Sequence, residues 1–218
     1  MASPYGALLT RREVREAENK AQMDLVQRVK TEEVNLKALP ETDADQKNAK
    51  LTAIAETETA LTQLQTNAPI GRVVIHIKPQ LKDWQGTPAD TALRDGDVLV
   101  IPKKTEYVMV SGQVYNPTAI GYRPGQSAKW YLGQAGGITQ IADKKAVFVV
   151  RADGSVIASK NNSGGWFSGD PLSAELRPGD SIVVPEKAPK IGTRNWATTM
   201  QMVQVASSIA LAVAYIHP

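Results

Sequence analysis

The 218-residue sequence contains no cysteine. Disulfide bonds, thiolate metal sites and thiol nucleophiles are therefore excluded. Histidine is nearly as scarce. His76 sits in an alternating apolar stretch and His217 lies beside the end; neither has carboxylates at ligand spacing, and both read as structural or incidental. Aromatic residues make up only 6% of the chain, so those that occur stand out. Neither sign of charge is in large excess. The formal net charge is +3, with 9 basic and 11 acidic side chains in residues 1–68 and 16 and 11 in residues 69–218. The basic residues are scattered, with no dense run and little aromatic interleaving, which argues against a nucleic-acid partner. Catalytic constellations are missing as well. Asp95, Asp97 and Asp180 fall at turns, where aspartate bonds backbone amides. Gly133–Gly137 lacks the phosphate-loop pattern. Ser111 and Ser127 have no histidine base nearby in sequence. No catalytic residue, no metal site and no cofactor is expected. The amino-terminal MASPYGALLTRR is not a signal peptide, because its apolar run is short and the positive charge follows it. The chain is therefore read either as cytosolic or as a mature or truncated form.

Repetition is present. Residues 93–104 read LRDGDVLVIPKK and residues 176–187 read LRPGDSIVVPEK, 83 positions apart. Each is a tight polar turn feeding a short apolar run that a proline stops. Two such units imply one small β module used twice.

Ahead of the first unit the period is helical. Val14, Ala17, Ala21, Leu25, Val29 and Leu36 recur at three- and four-residue steps, predicting a helix over 7–38. After Pro40, the residues Leu51, Ile54, Glu58, Leu61 and Leu64 trace a second helix with a near-heptad seam. A short loop between two helices predicts an antiparallel hairpin. From Gly71 the period becomes two, and Val73, Ile75 and Ile77 predict a strand.

The stretch from Tyr107 to Lys187 is sharply punctuated. Strands are expected at Tyr107–Val110 and Gln113–Tyr115, with Gly112 as a bulge or close approach. Asn116-Pro117 marks a turn, and Pro124-Gly125 a type II turn. Ser127 is placed to cap a helix that runs to about Gln134, with Trp130 in the core and Gly136-Gly137 at the end. Asp153-Gly154 between two apolar runs predicts a hairpin. Pro178-Gly179-Asp180 leads into a last strand. One helix on a small mixed sheet is a β-grasp pattern and makes the chain α+β. The glycine- and serine-rich loop Asn161–Asp170 carries Trp166 and Phe167. Their rings are the candidates for glycan contact, since aromatic faces stack on sugar C–H groups. The same rings would equally fill a subunit interface or pack beneath their own loop.

Arg194 is the last charged residue, and Trp196–Ile216 runs without charge or proline. As a helix this segment would extend roughly 30 Å, the thickness of a hydrocarbon core. Gln201, Gln204, Ser208 and Tyr215 cluster on one arc, opposite an apolar face. A polar stripe is tolerable in lipid when several copies enclose a water-filled lumen, with Trp196 and Tyr215 at the two interfaces. The alternative is a helix that docks on a partner protein or on its own domain.

The ordered elements Gly112-Gln113-Val114, Asn116-Pro117, Pro124-Gly125, Ala135-Gly136-Gly137, Ala142-Asp143-Lys144, Asp153-Gly154 and Pro178-Gly179-Asp180, closed by Pro185, resemble the SLBB β-grasp domain of bacterial outer-membrane polysaccharide (capsule) export proteins. The likeness covers about residues 106–187 strongly and extends more weakly to both sides. It implies a helical hairpin over 1–70, the second half of an interrupted SLBB unit over 71–105, a complete unit over 106–188, and a linker with an amphipathic membrane helix over 189–218. The first half of the interrupted unit would lie before residue 1. The resemblance further implies a homo-oligomeric ring, commonly eightfold, in the periplasm and outer membrane, touching outer-membrane lipid. Polysaccharide would pass passively through its lumen, and an inner-membrane polysaccharide copolymerase would be its partner. The amino-terminal export domain of such proteins is absent here, so the chain is expected to be a fragment of a longer exporter or one half of a split system in which a separate chain supplies that domain. The competing expectation is a soluble periplasmic adaptor module that binds a glycan or small ligand and docks its last helix on a partner.

Overall fold

The computed structural model describes residues 2–41, 43–78, 80–87, 89–158 and 170–187. They form a mixed α+β structure with two sheets and three α-helices. The expected terminal helix, with Trp196, Gln201, Gln204, Ser208 and Tyr215, lies outside the described residues, as do Trp166 and Phe167. Among the described residues no helix is long and apolar enough to cross a membrane.

The chain opens with a strand. Residues Leu8–Thr10 (β1) lie at the centre of a three-stranded sheet, between Arg72–Val73 (β2) and Val98–Val100 (β3), both antiparallel to it. The helical period read from residue 7 therefore begins later, at Arg12. Leu8 and Leu9 are both buried, and the sheet partners far along the chain override the local pattern. Residues 74–78 keep the alternation of burial expected of a strand, with Ile75 buried and Val74 and His76 exposed, but only Arg72 and Val73 join the ladder.

Between β1 and β2 stands the hairpin of Arg12–Ala38 (α1) and Ala44–Thr66 (α2). The Asp43 side chain caps α2 by accepting from the Gln46 amide at 2.8 Å. Leu25, Val29 and Leu36 of α1 are buried against Ala53, Ala60, Leu61 and Leu64 of α2, and Thr57 is buried among them. The α2 seam is thus rotated from the one read in the sequence. Leu51 and Glu58 point outward, and Ala53, Thr57 and Ala60 face the partner helix. Small side chains let the backbones approach closely, and the Thr57 hydroxyl is satisfied by donating to the Ala53 carbonyl at 2.7 Å. The root of the hairpin is pinned where it leaves the sheet: the Arg11 amide donates to the Gly71 carbonyl, and the Glu18 carboxylate accepts from the Gly71 amide, each at 2.8 Å.

The second sheet has five strands in the order β5-β4-β8-β6-β7, formed by Tyr107–Gly112 (β4), Thr118–Gly121 (β5), Phe148–Val150 (β6), Val156–Ala158 (β7) and Ser181–Val184 (β8). β4 and β8 are parallel; the other pairs are antiparallel. Ala128–Gln134 (α3) covers one face, and Val108, Val110, Tyr131, Leu132, Val147, Val149, Leu176 and Ile182 close the core. Ser127 holds the cap position without a side-chain cap bond. Tyr131, rather than Trp130, is the central aromatic residue: Tyr131 is fully buried, and Trp130 is half-buried at the margin. The Tyr131 hydroxyl accepts from the Arg123 amide at 2.8 Å and donates to the Arg123 carbonyl at 3.2 Å.

The two sheets repeat one arrangement. Leu9 lies opposite Leu99 as Val149 lies opposite Ile182, and Thr10 opposite Val98 as Val150 opposite Ser181. Outside the strands, Ala2 bridges Lys103 as Ala142 bridges Glu186. The Ser3 amide donates to the Pro102 carbonyl as the Asp143 amide donates to the Pro185 carbonyl, both at 2.8 Å. β1, β2 and β3 thus match β6, β7 and β8 in order, direction and register. The helical hairpin occupies the place that the Asp153-Gly154 turn takes in the second unit.

Candidate functional site

The glycine- and proline-marked residues gather at the two ends of the five-stranded sheet. At one end, β4 finishes at Gly112, whose φ is +87°. A Cβ there would run into the carbonyl of Val184. The Asn116 amide donates to the Ala135 carbonyl and the Tyr115 amide to the Gly137 carbonyl, both at 3.1 Å, which docks the turn at Asn116-Pro117 on the end of α3. Asp143 and Pro185 meet at this end through their backbones. Gly125 stands apart, in open space at the turn before α3.

At the other end the two units meet. Gly154 and Gly179 come together there with Asp180 and with residues that the sequence reading did not single out, Arg72 and Arg151. The Arg72 guanidinium passes over the Asp153-Gly154 turn, where a Cβ on Gly154 would strike its Nε and Cζ. Its Nη2 donates to the Ala152 carbonyl at 2.7 Å. Burial lowers the proton affinity of this guanidinium, and Asp153 and then Glu18 oppose the shift. Asp153 Oδ1 accepts from the Ser155 amide at 2.8 Å, and Asp153 Oδ2 lies 3.2 Å from His76 Nδ1. Tyr5 lies beneath the Arg177 guanidinium at 5.4 Å. A side of each unit is therefore tied to the other by charge and by close backbone packing.

Asp180 and Asp97 occupy the same place in the repeated LRxGD turn. Each carboxylate accepts from an amide three residues earlier: Asp97 from Arg94 at 2.9 Å and Asp180 from Arg177 at 2.8 Å. Each also faces an arginine at equivalent positions, Arg11 and Arg151. The Arg11 bond, then the Arg94 amide, pull the Asp97 carboxyl down to about 2. Burial pushes the Asp180 carboxyl up to about 6, against the Arg177 and Ala152 amides and Arg151. A signal for these arginines was present in the sequence, since each directly follows the repeated apolar strand, in LLTR and FVVR.

Half-buried Trp130 forms an aromatic margin on α3. The Arg123 guanidinium sits 5.5 Å from its ring, and Tyr131 meets it edge-on at 4.9 Å. The Lys129 amide on the same helix donates to the Leu172 carbonyl at 2.9 Å. This bond brings the described segment from residue 170 onward alongside α3 and Trp130. None of these groupings pairs a nucleophile with a base. Among the described residues no three His, Asp or Glu side chains are placed to hold a metal ion. What the arrangement does is hold two β units in fixed relation and present a helical hairpin and an aromatic margin.

No family model matches the chain. Two Escherichia coli proteins, each described as polysialic acid transport protein KpsD, are 30% identical to it over 119 residues. The match takes in 55% of this chain and 19% of each relative, so the matched residues span about a fifth of the relatives' length.

Proposed function

We propose that this chain is a non-enzymatic subunit of a bacterial polysaccharide export assembly. The observation that carries the reading is the 30% identity to a polysialic acid transport protein. The five-stranded mixed sheet with one covering helix and a parallel central pair supports it, because the β-grasp pattern of the SLBB domain calls for that arrangement.

In this reading residues 106–188 are a complete SLBB unit and residues 71–105 belong to an interrupted one. Copies of the chain form a ring, octameric in the commonest form, in the periplasm and at the outer membrane. Residues 189–218 supply an amphipathic helix whose Gln201, Gln204, Ser208 and Tyr215 face a shared lumen, with Trp196 and Tyr215 at the lipid boundaries. Trp166 and Phe167 contact the passing glycan or a neighbouring subunit. The conduit is passive: a wide polar pore makes weak, repeated sugar contacts, and an inner-membrane copolymerase gates it.

Crosslinking of the detergent-extracted protein tests this directly. A discrete high-order ladder is expected, together with loss of membrane association when Trp196–Pro218 is deleted. A strict monomer that fractionates without detergent would sink the conduit reading in favour of the soluble adaptor.

A further inference from the structure

The arginines at the sheet ends are closed off by groups of the protein itself. Arg11 pairs with Asp97, Arg94 donates to Glu13 Oε2 at 2.7 Å, Arg72 donates to the Ala152 carbonyl, and Arg151 faces Asp180. Arg123 and Arg177 differ. Both are exposed, and neither guanidinium has a hydrogen bond or ion pair among the described residues. Each lies instead over an aromatic ring, Arg123 at 5.5 Å from the Trp130 centroid and Arg177 at 5.4 Å from the Tyr5 centroid. The contrast within the repeat is direct. Arg94 and Arg177 hold the same place in the LRxGD turn, yet Glu13 occupies Arg94 and no acid occupies Arg177. A ring against a guanidinium steadies it and leaves its N–H fork for another partner, and that fork matches a carboxylate. The backbone joins the two positions. The Ala128 amide donates to the Ala174 carbonyl at 3.0 Å and the Leu176 amide to the Gln126 carbonyl at 3.2 Å, so residues 126–130 and 172–177 make one ribbon with Trp130 and Arg177 near its ends. Half-buried Tyr122 lies within electrostatic reach of both Arg177 and Glu175. Glu175 is exposed on the same ribbon and works against an anion there.

We propose that this ribbon is a binding surface for carboxylate-bearing sugar units, in which Arg123 and Arg177 each take a carboxylate through paired N–H donors, beside the exposed parts of the Trp130 and Tyr5 rings. Because Tyr5 belongs to the first unit and Arg177 to the second, the surface crosses the junction and depends on the fixed relation of the two units. The paired donors select the acid and the rings select the sugar; a charge without a sugar body satisfies only half of the arrangement. The proposal rests on the export reading for the glycan, and on the free, ring-backed guanidinium groups for the carboxylate.

Tetragalacturonate, its methyl ester and a glutamate oligopeptide of equal charge serve as probes. Each is titrated into the full-length chain, with the side-chain Nε–Hε resonances of Arg123 and Arg177 as the readout. Tetragalacturonate should shift both resonances in a saturable way, and the methyl ester and the peptide should each bind at least about tenfold more weakly. Arg123→Gln and Arg177→Gln should each weaken binding about fivefold or more. Arg123→Lys and Arg177→Lys should recover less than half of that loss, because an ammonium keeps the charge without the fork. Glu175→Gln, which removes the opposing charge, should tighten binding about twofold. Three outcomes would overturn the proposal. These are no saturable shift up to about 10 mM tetragalacturonate, full recovery by lysine or equal binding of the peptide (a charged patch that reads no sugar), and equal binding of the methyl ester (rings that read no acid). A crosslinked ladder from a chain that shows no saturable shift removes this surface and leaves the export reading standing. A strict monomer that binds removes the ring and leaves the surface.

Discussion

Arg11 grips both oxygens of Asp97, Nε to Oδ1 at 2.9 Å and Nη2 to Oδ2 at 2.7 Å, whereas the equivalent Arg151 stands 3.6 Å from Asp180, its Nη1 without a hydrogen-bond partner among the described residues. One motif position thus yields two electrostatic outcomes. In the first unit the arginine dominates and the carboxyl is held far down. In the second, burial dominates and the carboxyl is pushed up. The sheets are alike, so the difference arises from how closely each arginine closes on its acid and how much surrounds the pair.

Arg11→Met removes both bonds to Asp97. A carboxyl with a depressed folded pKa contributes stability above its unfolded value and loses it as pH falls through the folded one. The defect of the variant should therefore be full at pH 7 and shrink from about pH 4 towards pH 2. Urea unfolding followed by circular dichroism measures it. An equal defect at both extremes would remove Asp97 from the account.

Asp180 carries the opposite sign. With its folded carboxyl raised to about 6, the folded state holds the proton more tightly than the unfolded chain. Stability should fall as pH rises from about 4 to about 6 and level off above that, by a few kcal/mol. Asp180→Asn should flatten this decline. The comparison is of urea midpoints at pH 4.5 and pH 7, and an undiminished decline in the variant would assign it to another group.

Gly112→Ala places a methyl group against the Val184 carbonyl at a positive φ. A loss of about 2–4 kcal/mol is expected. Gly125→Ala has a similar φ, +74°, but open space around it, and should cost roughly 1 kcal/mol. Similar losses for the two variants would mean that conformation alone, and not the approach of β8 to the end of β4, governs the site.

Tyr131→Phe leaves the ring in place and removes the hydroxyl that serves both backbone groups of Arg123. The stranded Arg123 amide should cost about 1–2 kcal/mol. Thermal unfolding reads the effect. The Trp130 fluorescence should also shift, since Arg123 and Tyr131 both touch that ring.

Much of the second unit was legible because punctuation decides it. Gly125, Gly136, Gly137, Gly154 and Gly179 all take positive φ at the turns where the sequence placed them, and α3 ends at Gln134 as read. The repeated LRxGD turn was legible for the same reason. β1 was not: three residues carry no period of their own, and the helical pattern behind them absorbs ALLT. The α2 seam was misplaced because Leu51 and Ile54 outrank Ala53 and Thr57 in hydrophobicity, while packing distance favours the smaller pair. The junction around Arg72 depends on contacts some 80 residues apart, beyond any local signal. The aromatic pair Trp166 and Phe167 and the striped tail lie outside the described residues.

A 27-residue helix is about 40 Å long, and it leaves the small sheet at Arg11, beside Gly71. The hairpin is not held there alone. Midway along α2, burial raises the Glu56 carboxyl and the charge of Glu186 adds to the shift, which sets that helix near the opposite end of the five-stranded sheet. A pull on the connection between α1 and α2 is therefore shared between the root, with Arg72 and the turn of the second unit, and the strand end that carries Glu186.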